Sequence, residues 1–114
     1  MNIKNIQKQL SDFTDERDWN QFHNPKNLAM ALSVEASELV EIFQWLTPEQ
    51  AEAIMSSNES EHVKEEIADI MIYLIRMADK LNIDLEDAVT DKIVKNGKRY
   101  PVSLSKGNAK KITI

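Results

Sequence analysis

The chain contains no cysteine, which excludes a disulfide framework and a thiolate metal site. It has only two glycines and three prolines. That scarcity excludes a Walker-type phosphate loop and leaves long stretches free to run as helix. No apolar run is long enough to span a bilayer. The opening "MNIKNIQKQL" lacks the continuous apolar core of a signal peptide. A soluble cytoplasmic protein with no membrane partner is the expectation.

Acids are also missing from one region. Residues 92–114 hold none, against seven Lys/Arg, for a charge of +7, whereas residues 1–91 hold 19 acids and seven Lys/Arg, for −12. The basic set is Lys92, Lys95, Lys98, Arg99, Lys106, Lys110 and Lys111. Most such runs are solvated tails. The sharper reading is an anion-binding segment that folds back over an acidic site. Duplex nucleic acid is a poor partner, because the rest of the surface would repel it.

What is present is helical periodicity. At 114 residues the chain reads as one domain with a thin core if it stands alone. A first helix is expected over about Asn2 to Thr14, with Ile3, Ile6, Leu10 and Phe13 on one face. After a polar connection, Asn24 caps and Pro25 opens a second helix that runs to about Trp45. Thr47, Pro48 and Gln50 form a capping box for a short third helix to about Met55. The fourth runs from about Glu59 to Leu81, with Val63, Ile67, Ile70, Leu74, Met77 and Leu81 on its stripe. Asp84 caps a fifth that ends near Asn96-Gly97, where glycine suits a C-terminal position.

The fold class is therefore all-α, a bundle of four to five helices with the second and fourth as an antiparallel core pair. Residues 1–100 form the domain, and 101–114 form an extended or partly ordered basic tail. Ala31, Val34, Phe43, Ile72 and Ile75 lie off the main stripes. Helices apolar on more than one face need partners on more than one side, so a homo-oligomer is expected to complete the bundle.

The stripe of the second helix is interrupted. Glu35 falls inside the seam marked by Leu28, Leu32, Leu39, Ile42 and Leu46, and Glu38 follows one turn later. The fourth helix carries Glu66 and Asp69 at the same spacing, with Glu66 on the side of Ile70, Tyr73 and Met77. A lone ExxE on a helix is usually a solvated face. Two such pairs bordering the apolar stripes of the two longest helices would instead face each other and raise one another's pKa. Lys64 and Arg76 are the only cations beside the fourth-helix pair. A divalent cation resolves the conflict, and an all-oxygen set selects Mg²⁺ first and Mn²⁺ second. Mg²⁺ held by a few carboxylates keeps positions for water and phosphates, which points to phosphoryl chemistry. Glu41, Glu61 and Glu65 read as surface residues.

The stretches "RDWNQFHNPKNLAMALSVEASELVEIFQW", "EEIADIMIYL" and "DKIVKNGKRYP" resemble the MazG-like, all-α nucleoside triphosphate pyrophosphohydrolases, especially the compact branch containing dCTP pyrophosphatases. The resemblance covers most of residues 16 to 101. It implies four Mg²⁺ ligands at Glu35, Glu38, Glu66 and Asp69, the residues that periodicity had marked. It implies cleavage between the α and β phosphates to a monophosphate and pyrophosphate, in a role of nucleotide-pool house-cleaning. It further implies a base and sugar pocket lined by Trp19, Trp45 and Tyr73, and phosphate contacts at Lys92, Asn96 and Arg99. It favours a tetramer over a dimer.

Several of these residues have a second reading. Trp45 and Tyr73 suit the core equally well, whereas Trp19, in a polar connection, better suits a ligand platform. His23 is counted as a substrate contact, with a local hydrogen-bonding role beside Asn24-Pro25 as the alternative. Lys92 and Lys95 read equally as solvated helix residues. Glu38 is the first choice for the catalytic base. Other substrates, such as another nucleoside polyphosphate or a phosphoribosyl nucleotide, stay open, as does a non-catalytic helical module that binds metal and nucleotide.

Overall fold

The structure, a computed structural model, describes residues 1–112. Among them there is no strand, and the all-α expectation is met. The helices are α1 (Ile3–Glu16), α2 (Pro25–Phe43), α3 (Pro48–Glu52), α4 (Ser60–Lys80), α5 (Leu85–Arg99) and α6 (Val102–Ser105), with one 3₁₀ turn at Ile54–Ser56. The chain divides into two compact units, Met1–Asn82 and Ile83–Ile114. The division expected at residue 100 falls inside the second. The last two residues of the expected tail lie outside the described residues.

The helix starts follow local chemistry. The Asn24 side chain accepts from Asn27 N–H at 2.9 Å with Pro25 in the first turn. Thr47 Oγ1 accepts from Gln50 N–H at 3.2 Å, while Gln50 Oε1 accepts from Thr47 N–H at 2.9 Å, closing the capping box. Asp84 Oδ1 accepts from Asp87 N–H at 3.0 Å. Each cap satisfies donors that helical hydrogen bonding leaves orphaned. At the other ends of α1 and α4, Asp18 and Asn82 both adopt φ 54°. Asp and Asn tolerate this left-handed conformation because their short polar side chains bond locally.

One expectation about the C-terminal region is corrected. α5 does not stop at Gly97 but runs on to Arg99. The stop is the Tyr100-Pro101 pair, since the residue before proline is pushed out of the helical region. The following segment, expected to be extended or partly ordered, forms a helical turn at Val102–Ser105, with Leu104 N–H bonded to Pro101 O at 3.0 Å.

In the first unit α4 is the central helix, packed chiefly on α2 and also on α1. His23, just ahead of α2, feels the charges of Arg76 and Lys80 near the end of α4. Glu35, in the middle of α2, meets Glu66 in the first third of α4. The pair is therefore antiparallel, as expected.

The stripe drawn on α4 needs a larger correction. Ile67 and Leu74 are exposed, whereas Ile75, expected off the stripe, is 1 % exposed. The reason is α1. It takes a second face of α4, and Ile6 of α1 shares an apolar groove of about 410 Å³ with Ile67, Met71, Ile72 and Ile75. Ile75 is therefore covered within the chain. Phe13, assigned to the buried face of α1, is exposed, and Thr14 is buried in its place. Met30, Val34, Val40 and Ile67 stay exposed, and α5 buries none of its residues.

Because Ile75 sits where α1 and α4 meet, Ile75→Ala should destabilise the fold by about 2–5 kcal/mol, the range for truncating a buried aliphatic side chain. Urea unfolding at fixed protein concentration measures this. A loss under about 1 kcal/mol would contradict the burial on which the α1–α4 contact rests.

Candidate functional site

The seam between α2 and α4 carries the acids. Glu35 and Glu38 lie on the face of α2 that meets α4, and Glu66 projects from α4 toward them. Each offers one carboxylate oxygen, and the three lie within 4.8 Å of one another. Glu35 and Glu38 are half-buried, and Glu66 is buried at 7 % exposure. Asp69, one turn beyond Glu66 and half-buried, is not among the three that converge. It lies close enough to Tyr73 that its charge, after burial and with that of Glu35, pushes the Tyr73 hydroxyl above its usual range. Tyr73 thus borders the acids on α4.

The electrostatics are those of a cluster with more acid than nearby cation. The Glu35 carboxyl is pushed up from 4.5 to about 7, first by sharing a hydrogen bond with Glu66, then by burial, then by Glu38. The two cations expected nearby are committed elsewhere. Lys64 pairs with Glu61 at 3.2 Å, and Arg76 pairs with Asp79 at 3.5 Å. Glu66 Oε2 is buried with no hydrogen-bond partner. A buried carboxylate oxygen left without a partner is costly, so a ligand is called for here. A divalent cation fits the residues present. The donors are all oxygen, the cluster is anionic, and an unpartnered oxygen belongs to its most buried member.

One neighbour went unnoticed in the sequence. His62 lies one turn before Glu66, with Nε2 3.5 Å from Glu66 Oε1 and Nδ1 3.0 Å from Glu59 Oε2. Its bond to Glu59 raises its pKa. The signal was available, since residues three and four apart on a helix are neighbours.

The other predicted residues are scattered. Trp19 and His23 sit in the α1–α2 connection near the far end of α4, and ten residues separate Glu66 from Arg76, or ~15 Å of helix. Trp19 packs edge-on against Phe13 at 5.6 Å and tilted against His23 at 6.3 Å. Burial, then Arg76 and Lys80, lower the His23 pKa. Trp45, just past the end of α2, is 86 % exposed, which removes its reading as a core aromatic. Lys92, Asn96 and Arg99 belong to the second unit. There Lys92 and Asn96 are exposed, and Arg99 is half-buried, its Nε donating to Ile112 O and its guanidinium 5.4 Å from the Tyr100 ring. Glu41, Glu61 and Glu65 are exposed, as expected.

Fold and site together define an all-α protein with a carboxylate cluster between its two longest helices. The chain belongs to the MazG-like family, whose profile matches residues 30–113, a span that includes all four expected ligands. It is 43 % identical over 97 % of its length to dCTP pyrophosphatase 1 of Bos taurus, and 39 % identical over the same share to that of Homo sapiens. The chain spans 66 % of the length of each of these relatives. A crystal structure of a pyrophosphatase from Archaeoglobus fulgidus has a similar fold, with a TM-score of 0.82 and 38 % identity, over 89 % of this chain and 94 % of that one.

The raised Glu35 pKa has a thermodynamic consequence. Between about 4.5 and 7 the folded chain holds a proton that the unfolded chain has released, so stability falls as pH rises through that window. In chelator, melting temperature should decline from about pH 5 to pH 7.5 more steeply in the wild type than in Glu35→Gln, and Mg²⁺ should remove the difference. Identical pH slopes for the two proteins in chelator would contradict the shared proton. The comparison isolates Glu35 from His23, whose lowered pKa gives the opposite sign.

Proposed function

We propose that this chain is a divalent-metal-dependent nucleotide pyrophosphohydrolase. On this reading it converts (deoxy)nucleoside triphosphates, dCTP among them, to a nucleoside monophosphate and pyrophosphate. The observation that carries the reading is the convergence of Glu35, Glu38 and Glu66, with a buried Glu66 oxygen left unpartnered. Family membership and the dCTP pyrophosphatase relatives support the same chemistry.

Glu35, Glu38 and Glu66 would hold the ion, Mg²⁺ first and Mn²⁺ as substitute, with Asp69 as a fourth ligand. The ion would supply charge neutralisation for the triphosphate and acidify a bound water. Glu38, half-buried in the cluster and hydrogen-bonded to Glu35, is assigned to take the proton from the attacking water. Tyr73 borders the acids and would close the sugar side. Trp19 and His23 would receive the base, ~15 Å of helix from Glu66, a separation that an extended nucleotide can bridge. Trp45, exposed beside the end of α2, and the cations Lys92 and Arg99 with Asn96 complete the proposed substrate contacts. Residues 101–114 would form a tail to the 1–100 domain.

The same reading includes a cytoplasmic homo-oligomer, tetramer before dimer, with no duplex nucleic acid as partner. The exposed apolar residues Met30, Val34, Val40 and Ile67, and a fifth helix that buries nothing, favour assembly. No helix among the described residues is long and apolar enough to cross a membrane.

Incubation of a nucleotide panel with Mg²⁺, resolved by ³¹P NMR, tests the proposal. Monophosphate and pyrophosphate should appear in equal amounts, and Glu38→Gln or Glu66→Gln should lower kcat by about 100-fold or more while helicity is kept. Diphosphate and orthophosphate as first products would exclude this activity. Turnover that persists in excess chelator would exclude the metal role, and binding without turnover would leave the non-catalytic module.

A further inference from the structure

The α1–α2 connection carries Trp19 and His23, and most of its bonds are local. Trp19 N–H bonds Thr14 O at 2.9 Å, Phe22 N–H bonds Trp19 O at 2.9 Å, and His23 N–H bonds Asn20 O at 3.3 Å. These bonds shape the turn, and Asn27 Nδ2 of α2 donates to Phe22 O at 3.0 Å, but none of them reaches α4. One side-chain bond does so. Arg76 Nη2, on α4, donates to Asn20 Oδ1 at 3.1 Å across 56 residues of sequence.

Asn20 is the hub of this turn. Its Nδ2 donates to Asp15 Oδ1, which sets the orientation of the amide and points Oδ1 toward α4. Thr14 Oγ1 lies 3.3 Å from the same Oδ1, but it also lies 3.0 Å from Ser11 O. A hydroxyl has one proton, and the shorter bond is to Ser11. Arg76 is then the donor that holds Asn20.

Arg76 is 3 % exposed, and its Nε is buried without a partner. Its carboxylate partner Asp79, at 3.5 Å, is itself 40 % exposed. A buried guanidinium so thinly compensated is poor evidence for a stabilising role, because an apolar side chain of similar size often serves stability as well or better. α4 carries both this arginine and Glu66, so Arg76 can set the aromatic turn at a fixed distance from the acids.

We infer that Arg76 is a positioning residue, which through Asn20 holds the Trp19–His23 turn in register with the carboxylate cluster and so sets nucleotide affinity. This rests on the reading of Trp19 as the surface that takes the base.

The test has two readouts. In a Trp45→Phe background Trp19 is the sole tryptophan, and acrylamide quenching without nucleotide reports how firmly the turn is held. Arg76→Met should raise the quenching constant at least about twofold while melting temperature stays the same or rises. In the otherwise unaltered chain, Arg76→Met should raise the KM for dCTP about tenfold, a part of what a lost stacking contact costs. kcat and Mg²⁺ affinity should stay within about twofold, and Arg76→Lys should recover part of the KM. Asn20→Ala, at an exposed turn residue, should reproduce the quenching change and serves if Arg76→Met does not fold. Unchanged quenching in both variants overturns the inference. So does a fall in kcat with KM unchanged, or a loss of helicity that accounts for the whole effect. If Trp19→Ala leaves KM unchanged, the platform reading fails, and quenching still decides whether Arg76 holds the turn.

Discussion

Like-charge repulsion between Glu35, Glu38 and Glu66 is the constraint around which the first unit is arranged. The core of the first unit holds Leu28, Val63, Ile75 and Ala78, and the packing of α2 on α4 within it brings the three carboxylates within 4.8 Å. The apolar contacts cannot form without the acidic ones. The isolated chain relieves the repulsion by keeping a proton on Glu35 near neutral pH. A divalent cation would relieve it differently, leaving all three acids charged and converting a liability of the core into a binding site.

Position along α4 then organises everything else. Its first third carries Glu66, with Glu59 and His62 behind it. Its middle carries Tyr73, and its last third carries Arg76, which holds the turn bearing Trp19 and His23. A single helix thus separates the acids from the aromatic turn along its length. Such an arrangement suits a substrate that is itself charged at one end and aromatic at the other.

Much of this was legible in the sequence, because it rests on rules that act over one helical turn. The caps at Asn24, Thr47 and Asp84 were readable, as was the intrusion of Glu35 and Glu66 into apolar stripes. What failed was of longer range. Ile75 was misplaced because periodicity marks an apolar face without saying which helix will cover it, and α1 covers the second face of α4. Gly97 is the weaker stop signal, and the stronger breaker, Pro101, lies four residues on. The Arg76–Asn20 bond joins positions 56 residues apart and has no local signature. Arg76 shares a helix with Glu66 and Asp69 but belongs to its opposite end. The exposure of Trp45 was equally invisible, since a tryptophan at the end of an apolar stripe reads the same whether buried or bare.

The most direct test of the central claim is Mn²⁺ binding followed by electron paramagnetic resonance, with no nucleotide present. The wild-type chain should bind the ion, Glu66→Gln should bind it at least about tenfold more weakly, and Glu61→Gln, at an exposed acid five residues earlier on the same helix, should match the wild type. Equal affinity in wild type and Glu66→Gln would contradict the account, because the buried, unpartnered oxygen of Glu66 would then not be what the ion is held by.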